Sequence, residues 1–580
     1  MQIWLFRFIA LLLPFILLLL LECLLRLTLP AHTVPLFITN PANPAYLVTE
    51  PDITRRYFAA DAPRPNVKIE PGFVLKHKPE QAIRLVVQGG STAAGFPYGA
   101  GASIAGMLEQ RLRRTLPDTP VEVVNTALSA VNSYTLLDLS DDILTIQPDA
   151  VLIYAGHNEY LGLLGVGSSY LTSTSPGATL LWLKLRKLYL YQLLEQGYYH
   201  FFATNEEVAG GSRTVMATVA RHKDIALDSE RYQAGLAQFE QNMRLLLKRY
   251  QQAGVRVYLS TIASNLADLA PFNSLPATEE QLQALTALEQ QLQALPSDAT
   301  SAQYTALQQA ALPQLATLAS EQSQSASWHY RLGRLYLQLQ QADSARKHLT
   351  LARDLDLLRF RAPSAINDII RTLAKDYDAV LIESEAALAR HSAQGVIGEQ
   401  MMLEHVHPTI AGYFVLADSF YQALYQQKQF GSWKKPVPPA IAWQERPLLP
   451  AEEFAGTVRI SQLKADYPFS AAPQAAALPP AEGPQQQLGL AYVQGKLDWL
   501  SMQRQSALMF QQQQDGDMLL KTLKIIADAL PHDGNANLQA AQILLQAKRY
   551  GEARFYLQRA LLTASPPPLA KQLMQQLSRD

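Results

Sequence analysis

Residues 83–95 run Ile83-Arg84-Leu85-Val86-Val87-Gln88-Gly89-Gly90-Ser91-Thr92-Ala93-Ala94-Gly95, a short β-rich apolar run that stops at two glycines and a serine. Such a run suits a strand buried on both faces of a parallel sheet. Glycines flanking a serine at the carboxyl end of a strand permit a tight turn that presents the hydroxyl above the sheet, where doubly wound folds keep their sites. Taken alone, the string also fits an ordinary glycine-rich turn between a strand and a helix, one that holds a phosphate.

Four more runs of the same kind follow, at Val121 to Val124, Ala150 to Tyr154, Val255 to Thr261 and Ala379 to Ile382. Between them, Ala102 to Leu116 and Tyr232 to Gln252 space their apolar residues as amphipathic helices do, and the second ends at Gly254 just before a strand. Strands separated by helices imply βαβ units and an α/β layer architecture, here one doubly wound domain.

At 580 residues the chain exceeds the size at which a single core stops growing, so two or three domains are expected. Acids and bases balance to a net charge of −1, unlike the basic footprint of a nucleic-acid binder, and no nucleic-acid partner is expected. The single cysteine, Cys23, falls in the apolar N-terminal stretch, which leaves the rest without a disulfide, a zinc–thiolate site or a thiol nucleophile. That stretch, Phe8 to Leu25, carries one charge, Glu22, and about 20 such residues cross a bilayer. Residues 1–29 therefore read as a transmembrane anchor, with no small-x-small cleavage site before Pro30. Arg7 on one side and Arg26, Arg55 and Arg56 on the other leave the charge rule for orientation nearly undecided.

Residues 30–79 are expected to form an extracytoplasmic stalk leading to the α/β domain at 80–430. Within that domain, a helical insertion over about 275–358 is rich in Gln, Ala, Leu and Thr. It passes into Leu332-Gly333, Tyr336, Ala345, Leu349 and Ala352, which fit the small and large slots of a tetratricopeptide repeat. A second match, with Ala536, Ala541, Ala553, Leu557, Ala560 and Pro566, places an α-helical tetratricopeptide-like domain at 486–580. Between them, 431–485 is dense in Pro and Ala and reads as an extended linker. Leu180 to Leu194 mixes Trp182, Leu183, Tyr189 and Tyr191 with Lys184, Arg186 and Lys187, and reads either as a buried helix or as a lid or interfacial helix resting on the membrane.

Four short blocks occur in order, each after an expected strand or before the last helix: Gly89-Gly90-Ser91, Asn125-Thr126-Ala127-Leu128-Ser129-Ala130, Gly156-His157-Asn158-Glu159 and Glu404-His405-Val406-His407-Pro408. Together they resemble the SGNH/GDSL hydrolase family over roughly residues 80 to 425. Gly90 stands where aspartate is usual, Ala127 and Ala130 where glycines are, and Glu159 and Glu404 where aspartates are. Asn132-Ser133-Tyr134 and Gly156 to Ser168 look like a membrane-anchored subgroup that couples such a domain to tetratricopeptide-like repeats. The resemblance implies a flavodoxin-like three-layer α/β domain in which Ser91 attacks an ester carbonyl, His407 acts as general base and Glu404 orients the imidazole. It implies an oxyanion hole made by the backbone N–H groups of Ser91 and Ala130 and the side-chain amide of Asn158, with no metal or cofactor.

An alanine at 130 is strained if that position requires positive φ. His405 competes with His407 for the base, and the acid-x-x-His spacing with Pro408 favours His407. His157 reads as a loop or core histidine, and Asn265 and Asp268 as rim or turn residues. The function expected is an extracytoplasmic serine esterase or deacylase. Its expected partners are an acylated carbohydrate or lipid substrate, the membrane through the N-terminal helix, and a protein on the repeat helices. The alternatives are an O-acyltransferase using the same Ser-His site and a catalytically silent scaffold that binds partners through its repeat helices.

Overall fold

The computed structural model describes residues 2–29, 34–58, 67–168, 176–202, 216, 224–293, 300–431, 433 and 435–577. The Gln2–Thr28 helix contains Ala10–Thr28, the one span among the described residues long and apolar enough to cross a membrane, and it is almost wholly exposed. After it come β1 (Phe37–Thr39), β2 (Tyr46–Thr49) and β3 (Phe73–Leu75), joined as an antiparallel sheet in that order.

The described residues of 30–79 thus differ from the stalk expected there. Leu36, Ile53, Val67, Ile69 and Val74 enter the main core, and Arg56 pairs with Asp138 and Asp142 at 2.7 and 2.5 Å. Strands of three or four residues carry too few alternations for a period to be read from sequence.

The main sheet contains β4 (Ile83–Gly89), β5 (Val121–Asn125), β6 (Ala150–Tyr154), β7 (Arg256–Ser260) and β8 (Val380–Ile382), all parallel, in the order β5-β4-β6-β7-β8. This is the flavodoxin-like order. The chain leaves β4 towards one edge and then reverses, so right-handed crossovers require Ile104–Thr115 on one face and Ser133–Thr145, Glu230–Gln252 and Ser364–Asp376 on the other. The packing agrees: Ile104–Thr115 lies against Ile410–Gln427, while Ser133–Thr145 and Ser364–Asp376 lie against Glu230–Gln252.

Every residue of β4 and β6 is buried, which explains their unbroken apolar runs. Arg84 is tolerated there because Glu122 at 2.7 Å and the carbonyls of Leu75 and Ile146 take up its guanidinium, at the end of β4 remote from Gly89.

The insertion consists of helices Glu279–Gln293, Ser301–Ser320, Ala326–Gln338 and Ala342–Leu355 around a core that includes Leu285, Leu315, Trp328, Leu332 and Leu349. The last two form an αα-hairpin whose close crossing depends on Gly333, since a Cβ there would lie 2.5 Å from the Leu349 side chain. Residues 484–577 add six more helices among the described residues, with Ala540, Ala541, Ala553 and Ala560 where they cross.

Among the described residues of 431–485, the extended linker expected is found only over 473–482, around Leu478-Pro479-Pro480, which carry neither helix nor strand and are mostly exposed. Pro439–Gln444 and Pro450–Lys464 are helices with proline in the first turn, where its missing N–H costs nothing. They are fastened to the α/β domain: Arg111 donates to the Val437 carbonyl at 3.0 Å and Arg459 to that of Pro97 at 2.7 Å. A Cβ on Gly456 would lie 2.3 Å from the Tyr98 ring. Here Pro439 and Pro450 begin helices, while Pro479 and Pro480 keep the chain extended.

Candidate active site

At the end of β4 the chain must turn within a single residue beside β6. A Cβ on Gly89 would lie 2.2 Å from the Tyr154 carbonyl oxygen, so no side chain fits. Gly90 caps the short Ser91–Ala94 helix in extended conformation, and Ser91 opens it. The Ser91 N–H is therefore one of the unpaired amides of a helix start.

The Ser91 Oγ lies 2.7 Å from His407 Nε2. His407 stands just before Ile410–Gln427, whose first turn is capped by the Thr409 hydroxyl accepting from Gly412 N–H. Its other ring nitrogen meets Glu404 Oε1, which also accepts the His407 backbone N–H at 3.0 Å. With Nδ1–H donating to the carboxylate, Nε2 is left as acceptor for the serine proton. Burial holds the His407 imidazole below its ordinary range, so it rests neutral, as a base must. The Phe96 ring packs on it at 4.6 Å.

Two further loops meet this one because the carboxyl ends of β4, β5 and β6 lie side by side. Ala130, after β5, adopts φ +60°, the strained left-handed conformation that its glycine-like position foretold. Asn158, after β6, sits in the His157–Glu159 turn, and its side-chain amide makes no hydrogen bond among the described residues. Its Nδ2 lies 2.9 Å from where a Cβ of Gly90 would be, which puts it directly against the serine turn. Gly162 closes the Asn158 and Ala130 loops together, since its Cβ would come within 2.5 Å of the Asn158 carbonyl oxygen and 2.8 Å of that of Ala130.

Ser91, Ala130 and Asn158 are half-buried, whereas Glu404, His405 and His407 are buried behind them. Glu159, the last residue of the third block, is fully buried and accepts from Ser133 N–H, the Ser133 hydroxyl at 2.7 Å and the Gln238 amide at 2.5 Å. Burial raises its carboxyl to about 7.

The structure thus brings Ser91, His407 and Glu404 into one hydrogen-bonded chain and sets Asn158 and Ala130 beside it. His157 belongs to the scaffold: Nε2 lies 3.1 Å from the Ala263 carbonyl oxygen and Nδ1 accepts Ala362 N–H at 3.3 Å, clasping two loops. Asn265 and Asp268 work as turn residues. The Asn265 side-chain oxygen accepts Asp268 N–H at 2.9 Å, and Asp268 pairs with Arg334 at 2.6 Å.

The sequence left His405 as a rival base, yet its Nδ1 and backbone N–H both meet Glu404 Oε2, the oxygen that His407 does not use. Its ring is enclosed by Phe272, Phe360 and Phe469 at 5.7, 5.9 and 5.6 Å. Phe469 comes from the stretch read as linker, and no local pattern announces such a contact. Glu404, His405 and His407 are the described residues whose ligand atoms gather within 4.8 Å, but the carboxylate and both Nδ1 atoms are engaged with one another, as in a carboxylate–imidazole network.

No protein-family model and no curated protein sequence matches the chain. Solved structures do. An acetyl xylan esterase is 13% identical with a TM-score of 0.27, over 59% of this chain and 100% of that one. A catalytic mutant of an acetylxylan esterase from Geobacillus stearothermophilus is 12% identical with a TM-score of 0.27, over 62% of this chain and 100% of that one. A GDSL-like lipase from Bacteroides thetaiotaomicron is 11% identical with a TM-score of 0.24, over 59% of this chain and 88% of that one.

Proposed function

We propose that this chain is a membrane-anchored serine esterase of the SGNH type, working outside the cytoplasm on O-acyl groups of an envelope glycan or glycolipid. The observation that carries the reading is the 2.7 Å hydrogen bond from Ser91 Oγ to a buried, neutral imidazole whose far nitrogen meets a buried carboxylate. Ser91 attacks the acyl carbonyl as His407 Nε2 takes its proton, and Glu404 stabilises the imidazolium that forms. Charge on the tetrahedral oxygen is met by the N–H groups of Ser91 and Ala130 and by the Asn158 side-chain amide. His407 then protonates the departing alcohol, and a water activated by the same nitrogen releases the acyl group. The apolar Ala10–Thr28 helix holds the domain to the membrane, and the αα-hairpins of the insertion and the C-terminal region serve as tetratricopeptide-like partner surfaces.

The test is labelling of the purified protein by a serine-directed fluorophosphonate together with turnover of an aryl acetate. Both are expected in the wild type and neither in Ser91→Ala. A folded wild type that does neither overturns the reading. An alkaline phosphatase reporter fused after residue 60 is expected to be active in a bacterial host, and an inactive fusion overturns the topology.

A further inference from the structure

Glu22 is the one acid in the apolar helix, yet it is only 7% exposed on a helix whose leucines face outward. Its carboxylate accepts the N–H groups of Tyr189 at 3.1 Å and Leu190 at 3.0 Å and pairs with Arg26 one turn on at 2.8 Å. Tyr189 and Leu190 open the Tyr189–Phe202 helix, so Glu22 satisfies two of its orphan donors and meets the positive end of its dipole. A charge that is costly in an apolar segment is here used to bind a second helix to the first.

The second helix is in turn tied to the catalytic domain. Lys187 pairs with Asp138 at 2.8 Å, Arg186 donates to the Arg56 carbonyl at 3.3 Å, and Arg56 itself pairs with Asp138 at 2.7 Å. Asp138 lies on Ser133–Thr145, the helix that begins just after Ala130.

Along Tyr189–Phe202, Leu194, Tyr198 and Phe201 are 67%, 61% and 75% exposed. Their i, i+4, i+7 spacing makes one stripe. Single exposed apolar residues need no explanation, but a stripe on a helix bound to an exposed apolar span does. Leu181, on the helix just before, is exposed as well, and so is the cationic Lys184.

We infer that Tyr189–Phe202 lies with this stripe in lipid beside the anchor, and that Glu22 makes the two helices one mount holding Ser91 at a fixed height above the membrane. The inference rests on the membrane reading of Ala10–Thr28. The occupant is the headgroup and acyl boundary of the bilayer, continuous with the lipid around the span.

The test uses the full chain with Cys23→Ser, carrying single spin-labelled cysteines from Leu17→Cys, Leu194→Cys, Phe201→Cys or Asp343→Cys, in vesicles of phosphatidylcholine and phosphatidylglycerol. Asp343, whose side chain is 97% exposed on the insertion, is the aqueous control. Labels at 194 and 201 are expected to collide with oxygen more than the control does and with a nickel chelate about fivefold less, as residues in the interface do. If the label at 17 behaves so and those at 194 and 201 match the control, the inference fails and the anchor stands. If all three match the control, the membrane reading itself fails. Shielding of 194 and 201 from both reagents, with dipolar broadening between labels, assigns the stripe to a second copy of the chain and also overturns the inference.

Discussion

Replacing Gly90 with alanine places a methyl group 2.9 Å from the Asn158 Nδ2. An ordinary carbon contact needs about 3.5 Å, so the amide must retreat by roughly half an ångström. The backbone at Gly90 is extended, with φ −87°, and accepts a Cβ without strain. The displaced group is the free end of a side chain with no other hydrogen bond among the described residues, so the fold has little reason to resist. Stability should therefore change by less than about 0.5 kcal/mol. Catalysis should not be spared: a misplacement of about 1 Å costs on the order of a hundredfold, and outright loss of one oxyanion donor a hundredfold to a thousandfold. Gly90→Ala is thus expected to lower kcat for an aryl acetate by about 10- to 100-fold with KM and Tm nearly unchanged. In an Asn158→Ala background the same change should cost almost nothing, because the amide it displaces is gone. A kcat within about twofold of wild type, or an equal loss in both backgrounds, refutes the claim that Gly90 acts by admitting Asn158.

Ser91→Ala and His407→Ala should each abolish most turnover, and the double variant should be little worse than either, since the two act as one unit. His405→Ala should give a partial fall in kcat, because it frees Glu404 Oε2; full activity in that variant would show that His407 alone holds the carboxylate. Ala130→Gly relieves a left-handed alanine costing about 1 kcal/mol, offset in part by unfolded-chain entropy, so the thermal transition of the α/β domain should rise by about 1–2 °C; a fall would place the strain elsewhere. Burial raises the Glu159 carboxyl from 4.5 to about 7, so the folded state holds a proton that the unfolded chain releases. That contribution is fully present below pH 4.5 and is lost as pH rises through 7. Relative to Glu159→Gln, wild-type stability should therefore fall by on the order of 3 kcal/mol between those limits, and parallel unfolding curves would refute it. Ending the chain near Trp433 removes Phe469 from His405 and Arg459 from the Pro97 carbonyl, so turnover should be lost, with Phe469→Ala in the full chain giving a smaller loss of kcat; full activity in both would detach this segment from the site.

The parts legible in the sequence are those whose cause is local. β4 and β6 announce themselves because a strand covered on both faces needs a continuous apolar run, and the serine turn because only glycine passes the Tyr154 carbonyl at residue 89. Ala130 was suspect for the same kind of reason, a backbone position read from its glycine-like place in a block. What stayed hidden depends on residues far apart in the chain. Nothing near Phe469 signals that its ring lies 5.6 Å from His405, and of the prolines in that segment Pro439 and Pro450 start helices while Pro479 and Pro480 do not. The strands β1 to β3 are too short to show a period, although they close the same core. In the sequence Glu22 is only the one charge of an apolar stretch, because its partners, Tyr189 and Leu190, are more than 160 residues away.

The departures from the SGNH-like blocks make sense as matched pairs rather than as separate losses. An aspartate at position 90 would carry a Cβ into the space that the Asn158 amide occupies, so the glycine there and the position of Asn158 belong together. A glutamate at 404 reaches one methylene further than an aspartate, and a longer side chain has one more torsion to fix. The second imidazole fixes it: His405 takes Oε2 while His407 takes Oε1, and three phenylalanines keep His405 from turning away. One of those rings, Phe469, is delivered by the segment that wraps back from the C-terminal side. The longer acid is thus tied to the wrapped segment through His405, and a change at 404 should be felt through contacts made at 469. Glu404→Asp should accordingly fail to restore a shorter, simpler dyad, because the carboxylate would withdraw from two imidazoles at once. If Glu404→Asp matches wild-type kcat, the pairing of Glu404 with His405 has no catalytic consequence and the second histidine is only packing.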